Sequence, residues 1–221
     1  MNDLNEKRSK TDIPTGSRTR TAGKEECLRP GAASKVEPAA MPEFLGTERP
    51  RTVLVRSYDS PCGRLLLGAL GDRLCLCDWR TGKNRDFVDR RLQCLLRARY
   101  EEGDSEVVQR AARQLDEYFA RRRRTFDIPL HFAGTAFQRS VWRELLKIPY
   151  GTTCTYAAVA ARLGMPKAVR AVANANRANP LSLFAPCHRV VGSDGSLTGY
   201  GGGLAAKRFL LELESGGRLA L

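Results

Sequence analysis

The chain has 221 residues, of which 42% are apolar, and it carries a formal net charge of +13 at neutral pH. This composition can bury a core, and it excludes a membrane-spanning protein because no apolar run approaches the roughly 20 residues that a spanning helix needs. The seven scattered cysteines include no CxxC pair, which favours reduced thiols over a disulfide framework or a structural metal site. We therefore expect a soluble cytoplasmic protein with no bound metal.

The positive charge is concentrated towards the C-terminal end of the sequence. Residues 134–221 carry eleven Lys or Arg side chains against four acidic ones, whereas residues 1–50 carry nine against eight. A folded region this basic favours a polyanionic partner, and nucleic acid first. A basic surface that serves only solubility is the alternative.

Taken in chain order, the sequence changes from a polar tail to a β pattern. Residues 1–50 are rich in Ser, Thr, Gly, Pro, Lys and Glu and lack periodicity, so we predict a disordered tail. From Arg51 the alternating segments 51–60, 63–70 and 72–79, separated by turn residues, predict a three-stranded antiparallel meander.

Two helices and one strand are expected to complete a first domain over residues 51–133. Apolar residues recur at helical spacing over Val88–Tyr100, and a second amphipathic helix begins near Ser105. The segment FDIPLHF, residues 126–132, predicts a short closing strand. The four arginines at 121–124 fit either a phosphate-binding patch or a solvated helix end.

The remaining residues, 134–221, predict a mainly helical domain. One amphipathic helix includes Phe137–Leu146, and two shorter helices follow on either side of a Gly164-Met165-Pro166 turn, the second beginning near Pro166 or Lys167. Two short helices joined by a turn that contains Gly are typical of a helix-turn-helix. The second helix is rich in alanine, which fits a packed helical hairpin and a DNA-reading helix equally well.

The segment APCHRVV, residues 185–191, places Cys187 beside His188, one of only two histidines. A cysteine becomes a nucleophile as a thiolate, which needs a nearby base or positive field. Neighbouring side chains of an extended chain point to opposite sides, so contact between these two requires another backbone conformation or a bridging water. The segment alone leaves a packed thiol and a nucleophile equally open.

A specific set of residues surrounds this segment: Tyr156, Arg170, Asn179-Pro180, PCHRV at 186–190, Gly199-Tyr200 and Glu214. The set resembles the O6-alkylguanine-DNA alkyltransferases, also called methylated-DNA–protein-cysteine methyltransferases. The resemblance covers about residues 51–215 and indicates the bacterial single-polypeptide type.

The resemblance implies an α+β fold with two domains. A small RNase H-like α/β domain with antiparallel strands, residues 51–133, precedes a mainly helical, DNA-binding and alkyl-transfer domain, residues 134–221, whose helix-turn-helix is winged-helix-like. The implied function is DNA repair by stoichiometric transfer of the alkyl group from O6-alkylguanine to Cys187, which inactivates the protein after one turnover. Activity on O4-alkylthymine stays open, and the family needs no cofactor.

The resemblance also implies a role for each residue of the reacting centre. Cys187 attacks the alkyl carbon, and His188 takes the thiol proton through a water. Glu214 orients His188, in the manner of the third member of a catalytic triad. Tyr156 donates a proton or hydrogen bond to the guanine ring, which stabilises the leaving group.

The implied partner is double-stranded DNA, bound by a monomer through the minor groove with the alkylated base flipped out. Arg170 is expected to fill the gap in the base stack, and other expected DNA contacts on the same helix are Ala171, Asn174 and Arg177. The residues expected to line the base pocket are Val190 (through its backbone), Tyr200 and Gly201, the last of which replaces a hydroxyl residue of some relatives. Asn179 is expected to be a structural hinge.

Two other functions are compatible with parts of the sequence. A lesion sensor of the alkyltransferase-like kind binds without transfer, but it typically has tryptophan at the position of Cys187. A transcription regulator needs polar side chains that read the major groove, and Asn174 and Asn176 keep that function open.

Overall fold

The computed structural model describes residues 50–80 and 85–216. Apart from its last residue, the tail that we predict to be disordered lies outside the described residues. Within the described ranges, no helix is long and apolar enough to cross a membrane. The same residues bring together no group of three potential metal-binding side chains.

A mixed four-stranded sheet forms the first part of the described chain, with strand order β3-β2-β1-β4. The predicted meander is confirmed as β1 (Arg51–Ser60), β2 (Gly63–Leu70) and β3 (Arg73–Trp79). Most residues of β2 and β3 are buried, because apolar clusters lie on both faces of the sheet. This explains why these two strands are continuous apolar runs rather than strict alternations.

The fourth strand corrects the helix that we predict over Val88–Tyr100. Helix α1 spans Arg85–Leu96 and ends where Arg97 adopts a left-handed conformation with φ 47°. The next residues form β4 (Ala98–Glu102), which pairs in parallel with β1. The free edge of β1 offers hydrogen bonds to this segment, and pairing there outweighs the helical spacing of its apolar residues.

The segment 126–132 is also not the regular strand that the sequence predicts. It makes a single bridge to β3, in which the Leu74 amide donates to the Pro129 carbonyl (2.9 Å) and the His131 amide donates to the Leu74 carbonyl (2.8 Å). Pro129 has no amide hydrogen, so it cannot extend the ladder as a donor.

Helix α2 (Glu106–Phe119) packs on the sheet and connects the two parts of the molecule. Its cap is Ser105, whose hydroxyl accepts a hydrogen bond from the Val108 amide (3.2 Å). Its buried face belongs to an apolar cluster that also contains Phe184 and Leu210 from the second part of the chain. The two parts therefore share a core.

The second part consists of helices and two very short strands. Helix α3 (Ala136–Leu145) confirms the predicted amphipathic helix, and Thr135 caps it in a capping box with Gln138. The strands β5 (Cys154–Thr155) and β6 (Val190–Val191) pair in parallel. The other helices are α4 (Tyr156–Arg162), α5 (Val169–Arg177) and α6 (Gly203–Ser215). A sheet part followed by a helical part confirms the α+β class.

The helix-turn-helix pair α4 and α5 is confirmed, but α5 begins later than the sequence predicts. Gly164 adopts φ 71°, and the following residues form a turn in which the Ala168 amide donates to the Met165 carbonyl (2.8 Å). Pro166 is the second residue of this turn, a position that its fixed φ favours. The connection is therefore longer than predicted, and helix α5 starts at Val169.

The described cysteines with free thiols are Cys62, Cys75, Cys77, Cys154 and Cys187. Cys94 is disulfide-bonded. The five free thiols among the described residues agree with the expectation that the cysteines do not form a disulfide framework.

The capping box of α3 makes a measurable contribution to stability. Replacing Thr135 with Ala removes the acceptor for the Gln138 amide (3.1 Å), and we expect the free energy of unfolding to fall by about 1 kcal/mol. Urea denaturation measures this change. Thr125→Ala, the same substitution at an exposed loop residue, is the control and should leave the midpoint nearly unchanged; equal effects of the two changes would contradict the capping role.

Candidate active site

A cavity of about 830 Å³ is lined by the end of β3, helix α5, the Cys187 turn and the loop that precedes α6. The structure brings most of the expected site residues to this cavity: Tyr156, Asn174, Arg177, Asn179, Cys187, Tyr200 and Gly201. Two side chains to which the sequence analysis assigned no role, Asp78 and Trp79, also line it.

Cys187 begins a short 3-10 helical turn, Cys187–Arg189. Successive side chains of such a turn are separated by roughly 120°, because it has three residues per turn. The backbone is therefore not extended, and the side chains of Cys187 and His188 are not forced to opposite sides of the chain. Burial raises the pKa of the Cys187 thiol, although hydrogen bonding by Asn179 and the charge of Lys207 act in the opposite direction. The resting thiol is therefore protonated at neutral pH.

His188 is completely buried, and its Nε2 lies 2.8 Å from Oε1 of Glu214. An ionised carboxylate can only accept, so Nε2 carries the ring hydrogen and Nδ1 carries the lone pair. Burial lowers the pKa of His188 and outweighs the opposite effect of Glu214. Among the described residues, Nδ1 has no hydrogen-bond partner. The imidazole is thus neutral at pH 7, and Nδ1 is the atom able to take a proton.

Glu214, on α6, accepts hydrogen bonds on both carboxylate oxygens. Oε1 accepts from His188, from the Tyr118 hydroxyl (2.8 Å) and from Nη2 of Arg189 (2.9 Å). Oε2 accepts from Nε of Arg189 (2.9 Å) and from the Gly151 amide (3.1 Å). Burial favours a raised pKa, but the bonds from His188 and Arg189 outweigh it and hold the pKa of Glu214 far below its usual value. Glu214 is therefore an ionised, fully paired carboxylate.

Asn179 connects the end of α5 to the segment that leads to Cys187. Its Nδ2 donates to the Ala185 carbonyl (2.8 Å), and its Oδ1 accepts from the Leu181 amide (3.1 Å). Asn176, on α5 itself, donates to the Cys187 carbonyl (3.3 Å). Two amide side chains therefore fix the position of the cysteine relative to the helix.

Val190, which we expect to line the base pocket through its backbone, is not among the residues that line this cavity. It is fully buried in β6, because pairing with β5 places it in the core of the second part. Its carbonyl accepts a hydrogen bond from Nζ of Lys207 (2.6 Å), which also donates to the Thr198 carbonyl (2.8 Å). Burial lowers the pKa of Lys207 to about 8.

Two tyrosines present their rings to the cavity. Tyr156 is the first residue of α4, and its hydroxyl accepts a hydrogen bond from Thr198 (3.3 Å), which leaves its own hydrogen for another acceptor. Tyr200 packs edge to face on Trp79, with ring centroids 5.7 Å apart. Its hydroxyl is buried and has no hydrogen-bond partner within the described part of the chain.

Helix α5 has one buried and one exposed face. The expected DNA-contacting residues share the exposed face: Arg170, Ala171, Asn174 and Arg177. Val172 and Ala175 are buried, and the Ala175 carbonyl accepts a hydrogen bond from the Trp142 indole (2.8 Å). The alanines therefore lie on both faces of the helix, Ala175 on the buried face and Ala171 on the exposed one. The helix is packed against the protein and also presents a surface beside the cavity.

Two family models match this chain. A model described as the 6-O-methylguanine DNA methyltransferase ribonuclease-like domain matches residues 53–132, and one described as the DNA binding domain of the same enzymes matches residues 136–216. The chain belongs to the 6-O-methylguanine DNA methyltransferase family. This confirms the ribonuclease-like first part and the resemblance found in the sequence.

Individual relatives agree with the family assignment. The chain is 44% identical over 161 residues to the methylated-DNA–protein-cysteine methyltransferase of Methanosarcina barkeri, covering 71% of this chain and 93% of the relative. It is 53% identical over 105 residues to the constitutive enzyme of Bacillus subtilis, covering 47% and 64%. Two crystal structures of the Mycobacterium tuberculosis protein, the second of them in complex with DNA, superpose with TM-scores of 0.63 and 0.64 respectively at 40% identity, covering 76% of this chain and 96% of each structure.

Two residues that hydrogen-bond to Glu214, Arg189 and Tyr118, were also missed by sequence reasoning. Arg189 lies inside the PCHRV motif, and an arginine directly before the apolar pair Val190-Val191 is a signal of a buried, paired cation that could have been used. Tyr118 gives no such signal, because it looks like any apolar residue on the buried face of α2. Its hydroxyl meets Glu214 from 96 positions away in the chain.

The protonation state of His188 can be measured directly. The chain contains two histidines, so the His131→Gln variant leaves a single imidazole signal in a proton NMR titration. Because burial lowers the pKa of His188, we expect a midpoint below 6.5. The unfolded chain then binds the proton first, so this group makes the protein less stable as the pH falls below about 6.5. A midpoint at or above 6.5 would contradict the neutral imidazole.

Proposed function

We propose that this protein repairs DNA by transferring the alkyl group from O6-alkylguanine to Sγ of Cys187, once per molecule. The observation that carries the proposal is the placement of Cys187 in a cavity beside the exposed basic face of α5, with the buried pair His188 and Glu214 behind it. The activity is that of a methylated-DNA–protein-cysteine S-methyltransferase. We also propose that the protein acts as a cytoplasmic monomer.

The reaction begins with loss of the thiol proton, since the resting thiol is protonated. Nδ1 of His188 takes this proton through a bridging water, and the thiolate attacks the alkyl carbon in line with the bond to the guanine oxygen. The C–S bond forms as the C–O bond breaks, and the electron pair of the C–O bond passes to the guanine. Tyr156 stabilises the developing negative charge on the ring by hydrogen bonding, and the ring gains one proton overall.

The products are a thioether on Cys187 and unmodified guanine. No oxidant or reductant is required, because the alkyl group moves between two nucleophilic atoms without a change in oxidation state. A thioether is not cleaved by simple hydrolysis, so the protein is consumed in the reaction. No cofactor takes part.

Binding involves the minor groove and the second helix of the helix-turn-helix. Small and polar residues on the exposed face of α5, Ala171 and Asn174 among them, allow close approach to the groove, while Arg177 borders the cavity. The alkylated base leaves the stack and enters the cavity, where Tyr200 and Gly201 contact it, and Arg170 fills the gap in the duplex. Asn179 holds the helix in register with Cys187.

One experiment tests this function against its rivals. The protein is incubated with a duplex that contains a single O6-methylguanine, and intact and peptide masses are measured. We expect one added methyl group, on the peptide that contains Cys187, and none in Cys187→Ser. Binding without an adduct would indicate a lesion sensor, and binding with strong sequence preference but no adduct would indicate a regulator.

The relay through Glu214 predicts a specific kinetic defect. Glu214→Gln keeps the shape but removes the charge that orients and polarises His188, so we expect alkyl transfer to slow by roughly 10² or more. The binding of unmodified DNA should change little. The matched control is Glu212→Gln, an exposed residue of the same helix. Single-turnover rates measure the effect, after thermal melting has shown that both variants are folded. An unaltered transfer rate in Glu214→Gln would contradict a role of Glu214 in proton transfer through His188.

Arg170 is predicted to act on base flipping rather than on chemistry. We expect Arg170→Ala to slow transfer from duplex DNA by about tenfold, because flipping costs a few kcal/mol that the inserted side chain offsets in part. Transfer from the free base, which needs no flipping, should be unchanged. Arg208→Ala, an exposed arginine on α6, is the control. The alternative is a phosphate contact. It would lower the steepness of the plot of log DNA association constant against log salt concentration by about one, and it would leave the transfer rate at saturating DNA unaltered.

A further inference from the structure

Trp79 is a tryptophan of the first part of the chain that lines the active-site cavity. It is the last residue of β3, it is 3% exposed, and it borders the same cavity as Cys187. Its ring contacts that of Tyr200 edge to face. The sheet therefore contributes a large rigid side chain to the cavity, and Asp78 and the α1 residue Val88 line it from the same part of the chain.

The loop before α6 rests directly on this indole. A Cβ atom on Gly202 would lie 2.4 Å from Cε2 of Trp79, and one on Gly201 would lie 3.2 Å from Cδ1. A Cβ on Gly63, the first residue of β2, would lie 3.1 Å from Cζ3 of the same ring. The indole thus packs closely against both the start of β2 and the loop, and the loop approaches this closely only because residues 201 and 202 have no side chains.

The polar edge of the indole is not used by the fold. Nε1 of Trp79 is buried and has no hydrogen-bond partner among the described residues. A buried tryptophan usually finds an acceptor for this group. The placement of the ring therefore rests on packing against Tyr200 and the Gly201-Gly202 loop, and on no hydrogen bond from Nε1 to the described residues.

We propose that Trp79 determines the size of the O6 substituent that the protein accepts. This inference rests on the proposed function, because the substituent must lie between the guanine oxygen and Sγ of Cys187, inside the cavity that both residues line. The indole fixes the distance between the sheet and the Gly201-Gly202 loop, and this distance limits the width of the cavity. Methyl groups fit, and a smaller residue at position 79 widens the cavity for bulky groups.

The test compares two substrates in duplexes of identical sequence, one with O6-methylguanine and one with O6-benzylguanine. We expect Trp79→Leu to raise the ratio of the benzyl to the methyl rate constant by about tenfold, which is the scale on which apolar pockets discriminate size. The matched control is Leu65→Ala, since Leu65 pairs with Trp79 across the sheet and is fully buried but does not line the cavity. Its ratio should equal that of the wild type.

A second pair of variants tests the contact with the loop. Gly202→Ala introduces the Cβ that clashes with the indole, so transfer of both alkyl groups should slow. Adding Trp79→Leu removes the clash, and the methyl transfer rate of the double variant should be at least about threefold that of Gly202→Ala alone. If Trp79→Leu does not fold, Trp79→Phe replaces it, with an expected rise in the ratio of about threefold.

An unchanged ratio in a folded Trp79 variant, or a loss in Gly202→Ala that Trp79→Leu does not relieve, overturns the proposal. The wild-type protein distinguishes this outcome from a failure of the proposed function. If the wild type transfers methyl groups to Cys187 but the Trp79 variants have its benzyl-to-methyl ratio, only the role of Trp79 is contradicted. If the wild type transfers no alkyl group, the proposed function itself is contradicted.

Discussion

A buried carboxylate holds the reactive turn of this protein in place. Moving an unpaired charge into the interior costs several kcal/mol, and Glu214 is tolerated there because it accepts five hydrogen bonds. The donors come from distant parts of the chain: Tyr118 from α2, Gly151 from the loop after α3, and His188 and Arg189 from the turn that begins with Cys187. The arrangement around this turn therefore depends on contacts from both parts of the molecule.

Burial sets the protonation states of Cys187 and His188 on which the proposed reaction depends. Burial raises the pKa of Cys187 and lowers that of His188, so the resting site contains a neutral thiol and a neutral imidazole rather than an ion pair. A neutral thiol is a poor nucleophile. In the proposed reaction, the thiol must therefore lose its proton before or during its attack on the alkyl carbon.

The ribonuclease-like part contributes directly to the site. The Cys77 amide donates to the Pro180 carbonyl (2.8 Å), and Nη2 of Arg91 donates to the Ala178 carbonyl (2.5 Å), so the sheet and α1 position the chain on either side of Asn179. Trp79, next to these contacts, forms part of the cavity wall. The position of Cys187 and the shape of its cavity thus depend on the ribonuclease-like part, to which the proposed reaction assigns no reacting group.

The sequence by itself determined the elements whose pattern is local: the three strands of the meander, the amphipathic helices and the PCHRV segment with its family resemblance. Only the tertiary structure decided the pairing of β4 with β1, the late start of α5, the burial of Val190 and the contacts that Tyr118 and Trp79 make. Local periodicity reports how a segment can bury its apolar face, but not which distant backbone edge or polar group it meets. Glu214 illustrates the difference, because its solvated-looking sequence position becomes a fully paired interior charge only when five donors from three regions converge on it.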